Sequence, residues 1–295
     1  MRLPDFIGVG PPRTGTTWLN GVLAARVGLP AKVKETDFFA NRYNRGIHWY
    51  SAHFRHCEEM PVVGEFSPTY FHLPLARQRI NQHLKAPKII CTLRDPVARL
   101  YSQYRLRARR DPKQLSLAAA IRADPDLLAP SCYAEHLEAW FDIFGRQNVY
   151  VTFYEDLLAS PMAFVNGVCR FLKVPEIDLA TSVAARRSGL RNAATHAPKR
   201  PRIAALTREL QLGLQAYGYH GTDRMIGRLK IWRWCSQPGR PFAPLTPDQE
   251  LPLRERFLPD IERLERLLGC DLSAWKVPGG VAPGEPAMTS LAVDL

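Results

Sequence analysis

The segment over residues 9–18, VGPPRTGTTW, constrains the fold more than any other part of the chain. It follows a short apolar run at residues 6–10 and overlaps residues 16–26, whose apolar side chains recur at helical spacing. A strand, a Gly/Pro turn and a helix in this order are typical of a phosphate-binding loop, because backbone N–H groups at a helix N-terminus can face an anion. The sequence therefore predicts an α/β fold with a P-loop-like turn after its first strand.

The rest of the chain continues this alternation. Further strands are predicted at residues 31–34, 62–64, 88–93 and 148–153, and helices at residues 73–84, 96–107, 134–144, 161–172 and 251–268. The third and fourth of these strands are apolar nearly throughout, as in a parallel sheet that is covered on both faces. We therefore expect a three-layer sandwich with a central parallel sheet. A single domain is predicted over residues 1–277, followed by a flexible tail over residues 278–295.

Charge and cysteine content restrict the partners. The chain carries 40 Lys and Arg residues against 28 Asp and Glu residues, a net charge of +12. This excess predicts an anionic partner, such as a nucleotide, an acidic glycan, a nucleic acid or a membrane surface, but it also suits a merely soluble basic surface.

The six cysteines form no CxxC pair, so we expect reduced thiols and no metal. No apolar stretch is long enough for a signal segment or a membrane span, which predicts a cytoplasmic protein.

The phosphate-type loop departs from that of nucleotide-hydrolysing enzymes. Thr16 stands where those loops carry lysine, and Arg13 lies inside the loop instead. Gly15 lets the backbone approach a ligand, and Thr16 and Thr17 add hydroxyl donors. A group that leaves with less charge than a phosphoryl group, such as a sulfuryl group, needs less neutralisation and no metal. The alternative is a plain Gly/Pro turn without a ligand.

A second candidate site follows the predicted strand at residues 88–93. Arg94 would emerge at the carboxyl end of that strand, where open α/β sheets bind ligands. Asp95 and Pro96 then start a helix, and Ser102 lies two turns along it. Arg94 and Ser102 could therefore hold one phosphate from two sides. The alternative is that Arg94 pairs with a carboxylate at the strand end.

A third candidate is the segment KETDFF at residues 34–39. Glu35 precedes two phenylalanines that are expected to exclude water, and a carboxylate in such surroundings suits general base catalysis. Asp37 is a rival that would face the same side if the segment were extended. The alternative is a charge at the surface.

These three elements together resemble the PAPS-dependent sulfotransferases, in which 3′-phosphoadenosine 5′-phosphosulfate (PAPS) is the donor. The heparan-sulfate type is more similar than the cytosolic small-molecule type. GVGPPRTGTTWL resembles the 5′-phosphosulfate loop of the family, TLRDPVARLYSQY its 3′-phosphate motif, and VKETDFF its general-base segment. GEFSPTYF, YAEHLEAWFDIFG, VYVTFYEDLLASP and LPDIERLERLLGCDLSAW follow in family order over residues 5–276. We expect a bacterial member of the family.

The resemblance implies a role for each matching residue. It implies that Arg13 replaces the loop lysine that holds the 5′-phosphosulfate, and that Glu35 is the general base. The implied loop donors are Thr14, Gly15, Thr16 and Thr17, the implied 3′-phosphate contacts are Arg94 and Ser102, and Arg240 lies in a loop, SQPGRPF, that would close over the nucleotide. The implied acceptor is a hydroxyl or amine of a glycan or small molecule, with no metal and no nucleic acid involved.

The chain departs from the family at two positions. Heparan-type enzymes carry lysine after the glutamate of their EKTPxYF motif, whereas this chain has Phe66. The loop cation is Arg13 rather than lysine, and arginine is a poorer proton donor but a better bidentate clamp.

Other functions are also open at the level of sequence. A small-molecule kinase would use the loop with magnesium and ATP. A nucleic-acid-binding module could use RLKIWRW at residues 228–234, although a helix anchored in the core by Ile231, Trp232 and Trp234 suits that segment better. His48, His53 and His56 are alternative general bases. The basic segment over residues 189–247 is expected to wrap the sheet as loops and helices.

Overall fold

A central sheet of four parallel strands organises the structure. The computed structural model describes residues 1–109, 115–181, 196–198 and 238–279. The strands are β1 (Phe6–Gly8), β2 (Gly64–Phe66), β3 (Lys88–Leu93) and β4 (Val149–Phe153). They lie side by side in the order β2-β1-β3-β4. The predicted parallel α/β sheet is therefore confirmed.

Helices connect the strands in the described ranges. They are α1 (Thr16–Leu23), α2 (Phe38–Asn41), α3 (Ile47–Ala52), α4 (Pro74–His83), α5 (Pro96–Ala108), α6 (Leu117–Ala123), α7 (Tyr133–Phe144), α8 (Tyr154–Ala159), α9 (Pro161–Leu172) and α10 (Pro247–Leu268). Four of the six predicted helices agree with these bounds to within about one residue. The helix predicted at residues 16–26 ends three residues earlier, at Leu23, and α10 starts four residues earlier than predicted.

Helices cover both faces of the sheet, as a three-layer sandwich requires. Ile90 pairs with Tyr150 in register, and both side chains lie on the face where α1 and α9 pack. Side chains alternate along a strand, so Phe153 lies on the opposite face. There its ring contacts that of Trp275 at 5.6 Å, and Trp275 also contacts Tyr133 of α7 at 6.0 Å between ring centroids.

One predicted strand is wrong and another is displaced. Residues 31–34 form bends instead of a strand. The place beside β2 is taken by Gly28, whose N–H donates to Val62 O and whose carbonyl accepts from Gly64 N, both at 2.9 Å. The strand predicted at residues 62–64 starts at Gly64 and continues to Phe66. Glu65 consequently lies within the sheet rather than after it.

The chain divides into two compact units. One comprises Met1–Arg99, Ala129–Leu190 and Pro247–Leu295 and contains the sheet, and the other comprises Leu100–Leu128 and Arg191–Thr246. The single domain predicted for residues 1–277 stays a prediction. The predicted tail beyond Gly279 and most of the segment at residues 189–247, including RLKIWRW, lie outside the described residues.

The second unit is built on the later part of α5 and on α6. Tyr101 and Tyr104 of α5 stack at 5.8 Å between ring centroids. The hydroxyl of Tyr104 donates to Leu115 O at 2.9 Å, and Arg107 forms an ion pair with Asp124. A short antiparallel pair, β5 (His196–Pro198) and β6 (Pro238–Pro241), belongs to this unit.

The described ranges also show the state of the cysteines and the character of the helices. Five cysteines there are free thiols: Cys57, Cys91, Cys132, Cys169 and Cys270. None of the helices in those ranges combines the length and apolar character needed to cross a bilayer.

Candidate active site at the carboxyl ends of β1 and β3

The P-loop-like turn leaves β1 and runs against the neighbouring strand β3. Val9 N donates to Ile90 O at 2.8 Å. A Cβ added at Gly10 would stand 2.6 Å from the backbone nitrogen of Thr92, so only glycine permits this approach. The chain proceeds from β1 to β2 on one side and returns to β3 on the other. Such a change of direction opens the crevice in which α/β sheets bind ligands.

The conformation of the turn exposes the N-terminus of α1. Arg13 and Gly15 both have positive φ, 82° and 87°. The buried Thr14 hydroxyl donates to Pro11 O at 2.8 Å, so this side chain braces the turn. Gly15 has no side chain to cap α1, which leaves the N–H groups of the first turn oriented for an anion. A Cβ at Gly15 would also stand 2.8 Å from Leu157 Cδ2, and the positive φ itself favours glycine here.

Arg94 joins the end of β3 to the turn. It directly follows Leu93, and its Nη1 donates to Arg13 O at 3.1 Å. Its guanidinium lies 4.4 Å over the ring of Tyr154. The structure thus brings Arg94 and the loop together, and Arg94 binds a backbone carbonyl and an aromatic face rather than the strand-end carboxylate.

Asp95, that strand-end carboxylate, is held from three directions. Its Oδ1 accepts from Val97 N and Ala98 N, both at 2.9 Å, and thereby caps α5. Its Oδ2 accepts from Arg254 Nη1 of α10 at 2.6 Å, and both side chains are 5% exposed. Arg254 was not predicted, since it lies 159 residues further along the chain.

A second buried carboxyl supports the same strand end. Glu155, at the start of α8, accepts from Asp95 N at 3.0 Å through Oε1. Burial raises the pKa of Glu155 to about 7, and the bond from Asp95 N opposes that rise. The polar structure behind Arg94 therefore includes an acid that titrates near neutral pH.

The segment that carries Glu35 differs from its prediction. Phe38 and Phe39 turn into the core at the start of α2, and Phe38 stacks on Tyr50 at 4.6 Å between ring centroids. The Glu35 side chain is 44% exposed, so the expected exclusion of water by the two phenylalanines is wrong. Its Oε1 accepts from Lys34 Nζ at 2.7 Å.

Asp37 is fixed by structural hydrogen bonds. Its φ of 52° shows that the segment is not extended at this residue, so the condition under which Asp37 would face the same side as Glu35 is not met. Its carboxylate accepts from Thr69 Oγ1 and Asn41 Nδ2, both at 2.7 Å, and its N–H donates to Ser67 Oγ at 3.2 Å. These bonds link α2 to the turn after β2.

Glu65 of β2 holds the segment that carries Glu35 against the sheet. It is fully buried in β2, and its carboxylate accepts from Thr36 Oγ1 at 2.5 Å, Tyr50 OH at 2.8 Å, Ser67 Oγ at 3.0 Å and Tyr70 OH at 3.2 Å. Burial raises its pKa, and the bonds from the surrounding hydroxyls lower it. Thr36 is thereby pinned to the sheet directly beside Glu35. The motif GEFSPTYF contained Glu65, but its local pattern gave no sign of this role.

Phe66 takes no part in the polar site. Its side chain is fully buried and its ring meets that of Phe6 edge to face at 5.8 Å. The cation that heparan-type enzymes carry at this position is therefore replaced by a core residue.

The other predicted site residues have varied surroundings. Thr16 is buried and accepts from Lys34 Nζ at 3.3 Å, whereas Thr17 is exposed. Ser102 is buried on α5 and falls in the second unit. Arg240 lies on β6, but its side chain is outside the described residues.

The histidines considered as bases make local contacts. His53 packs edge to face on Trp49 at 4.5 Å between ring centroids, and His56 Nε2 lies 3.1 Å from Cys57 Sγ. His48 is exposed on α3. Within the described ranges, no group of three or more His, Cys, Asp or Glu side chains is arranged to hold a metal ion. Independence from metals stays a prediction.

Comparison with known proteins identifies the family. The profile described as sulfotransferase domain matches residues 3–194. A human protein, bifunctional heparan sulfate N-deacetylase/N-sulfotransferase 3, is 32% identical over 196 residues, which cover 59% of this chain and 22% of that protein. A Drosophila melanogaster protein, bifunctional heparan sulfate N-deacetylase/N-sulfotransferase, is 32% identical over 212 residues, which cover 60% of this chain and 20% of that protein. This chain thus spans about a fifth of the length of these relatives.

A solved structure has the same fold. The crystal structure of a sulfotransferase from Alicyclobacillus acidocaldarius superposes with a TM-score of 0.65 and covers 94% of this chain and 100% of that chain, at 22% identity. The family profile spans more than half of the 295 residues. The chain therefore belongs to the sulfotransferase domain family.

Proposed function

We propose that this enzyme transfers a sulfuryl group from PAPS to a hydroxyl or amine of a glycan or small molecule. Family membership supports this assignment, as do the names of the relatives, which include heparan sulfate N-sulfotransferases. The observation that carries the proposal is the bond from Arg94 to Arg13 O, because it joins the two motifs expected to hold the two phosphate ends of the donor.

The described residues fit an anionic donor of this kind. The uncapped N-terminus of α1 can hold the 5′-phosphosulfate, with Arg13 as the loop cation. Arg94 is assigned to the 3′-phosphate, since it stands at the carboxyl end of β3. When bound, PAPS supplies an activated sulfuryl group. Thr14, Gly15, Thr16 and Thr17 belong to the loop that surrounds it.

The proposed reaction is a single in-line displacement. The bond between sulfur and the bridging oxygen breaks while a bond between sulfur and the acceptor oxygen or nitrogen forms. The acceptor proton passes to Glu35, and the electron pair of the broken bond stays on the 5′-phosphate, where Arg13 and the loop N–H groups stabilise the charge. The exposure of Glu35 leaves room for an acceptor beside its carboxylate.

The two alternatives have less support. A kinase would need the loop lysine, which Thr16 replaces, and the family match favours sulfuryl transfer. The nucleic-acid-binding segment RLKIWRW lies outside the described residues.

Substitution of Glu35 tests the assigned base. Glu35→Gln keeps the size and hydrogen bonding of the side chain but cannot accept a proton, so turnover should fall by about 10²–10⁴-fold. Donor affinity, measured by calorimetry, should barely change. Glu59→Gln, at another exposed position, is the matched control and should retain full turnover.

Two further variants separate Glu35 from its rivals. Asp37→Asn should lower the melting temperature, because Asp37 links α2 to the turn after β2, while leaving turnover per folded molecule largely intact. Near-full activity of Glu35→Gln would overturn the assignment of the base. Loss of activity in His48→Ala or His53→Ala at unchanged stability would then identify a histidine in its place.

A further inference from the structure

The side chain of Lys34 lies between the P-loop-like turn and the proposed base. Its Nζ is 3.3 Å from Thr16 Oγ1, at the first residue of α1, and 2.7 Å from Glu35 Oε1. The side chain is 23% exposed. In an in-line transfer, the migrating group occupies the space between the loop that holds the leaving group and the base that receives the proton. Lys34 contacts both borders of that space.

A cation at this place would stabilise the transferring sulfuryl group. Arg13 is the proposed cation for the leaving group, whereas Thr16 stands where nucleotide-hydrolysing loops carry lysine, and Phe66 is buried in the core. The sulfuryl oxygens carry negative charge throughout the reaction, and donors fixed beside them are effective because they require no rearrangement. A lysine ammonium offers a compact charge with three N–H donors.

The surroundings of Lys34 hold it in place. Two residues further on, Thr36 is bound through both its N–H and its hydroxyl to Glu65 Oε2 in the sheet, at 3.3 and 2.5 Å. A purely solvated pair between Lys34 and Glu35 would contribute little to stability and would not require the contact with the buried Thr16 hydroxyl. That contact ties Lys34 to the anion-binding end of α1.

We propose that Lys34 is a catalytic residue that binds the non-bridging oxygens of the transferring sulfuryl group. This proposal rests on the proposed function. It gives the sulfuryl group a cationic partner that lies outside the P-loop-like turn. Lys34 keeps its protons throughout, while the acceptor proton passes to Glu35. The ammonium therefore distinguishes PAPS from its desulfated product, which lacks the group that Lys34 contacts.

The test compares the affinities of PAPS and of the desulfated nucleotide by calorimetry without acceptor. Lys34→Met removes the charge at nearly constant length, and its PAPS affinity should fall by about 10- to 100-fold, the range for a charge-assisted hydrogen bond. Affinity for the desulfated nucleotide should stay within about twofold of wild type. Lys32→Met, at an exposed position two residues earlier, is the matched control and should change neither affinity.

A double variant separates direct contact from an effect through Glu35. In the Glu35→Gln background, Lys34→Met should weaken PAPS binding by the same factor, because the ammonium contacts the sulfuryl group itself. Equal weakening of both nucleotides, unchanged PAPS binding, or loss of the effect in the Glu35→Gln background would each overturn the proposal. Absence of PAPS binding by the wild-type chain would instead overturn the proposed function.

Discussion

Replacement of Arg254 by methionine should strongly destabilise the sheet-containing unit. Arg254 Nη1 donates to Asp95 Oδ2 and to Trp275 O, both at 2.6 Å, and the Arg254 and Asp95 side chains are each 5% exposed. Methionine fills much of the same volume but leaves the Asp95 carboxylate buried without its cation. Removal of one partner of a buried ion pair costs about 3–5 kcal/mol, and we expect a loss in this range at pH 7.

The size of the loss should depend on pH. Burial raises the pKa of Asp95, and Arg254 opposes that rise, so removal of Arg254 raises the pKa further. A carboxyl with a raised folded-state pKa binds its proton more tightly in the folded chain than in the unfolded chain. The folded variant therefore gains stability as pH falls, and its deficit relative to wild type should shrink between pH 7 and pH 5.

Urea denaturation of the full chain at both pH values measures this effect. Arg263→Met is the control, because Arg263 lies on the same helix but pairs with Glu138 at the surface, where ion pairs contribute little to stability. A loss below about 1 kcal/mol for Arg254→Met, or a loss that is equal at pH 5 and pH 7, would refute the reasoning.

Two other variants probe the polar structure around Arg94. Arg94→Ala should weaken binding of a 3′-phosphorylated nucleotide by about 1.5–3 kcal/mol, and binding of the same nucleotide without that phosphate by only about 0.5–1.5 kcal/mol through the lost bond to Arg13 O; calorimetry with both ligands measures the difference. Between about pH 4.5 and pH 7, Glu155 is ionised in the unfolded chain but stays protonated in the folded chain. The free energy of unfolding of the wild-type chain therefore falls as pH rises through this range. Glu155→Gln should remove this decline. The free energy of unfolding of the variant minus that of wild type should therefore be about 3 kcal/mol larger at pH 8 than at pH 4.5, as measured by urea denaturation at both pH values.

The sheet and its helices were largely predictable because their sequences carry local signals. The runs of β3 and β4 are continuous and apolar, and Gly10 and Gly15 mark a turn whose backbone only glycine permits. The false strand at residues 31–34 has an alternating pattern of lysine and apolar residues. Strand formation also requires a free pairing partner, and Gly28 occupies that place beside β2.

The polar contacts of the site were less predictable because they join distant segments. Arg254 meets Asp95 across 159 residues, and no local pattern indicates such a pair. Glu65 contradicts the apolar pattern of a buried strand, and only the hydroxyls that converge on it in the folded chain compensate its burial. The cytoplasmic location, the bacterial origin and the acceptor class, a glycan or small molecule, stay predictions, since none is encoded in the geometry of the described residues.

The most direct test of the central claim is the comparison of nucleotides in one calorimetric experiment on the wild-type chain. PAPS, its desulfated product, ATP and ATP with magnesium are titrated under identical conditions. The account predicts that both 3′-phosphorylated nucleotides bind more tightly than ATP, with or without magnesium, because the proposed function assigns Arg94, at the end of β3, to the 3′-phosphate. Equal affinities, or tightest binding of ATP with magnesium, would contradict it.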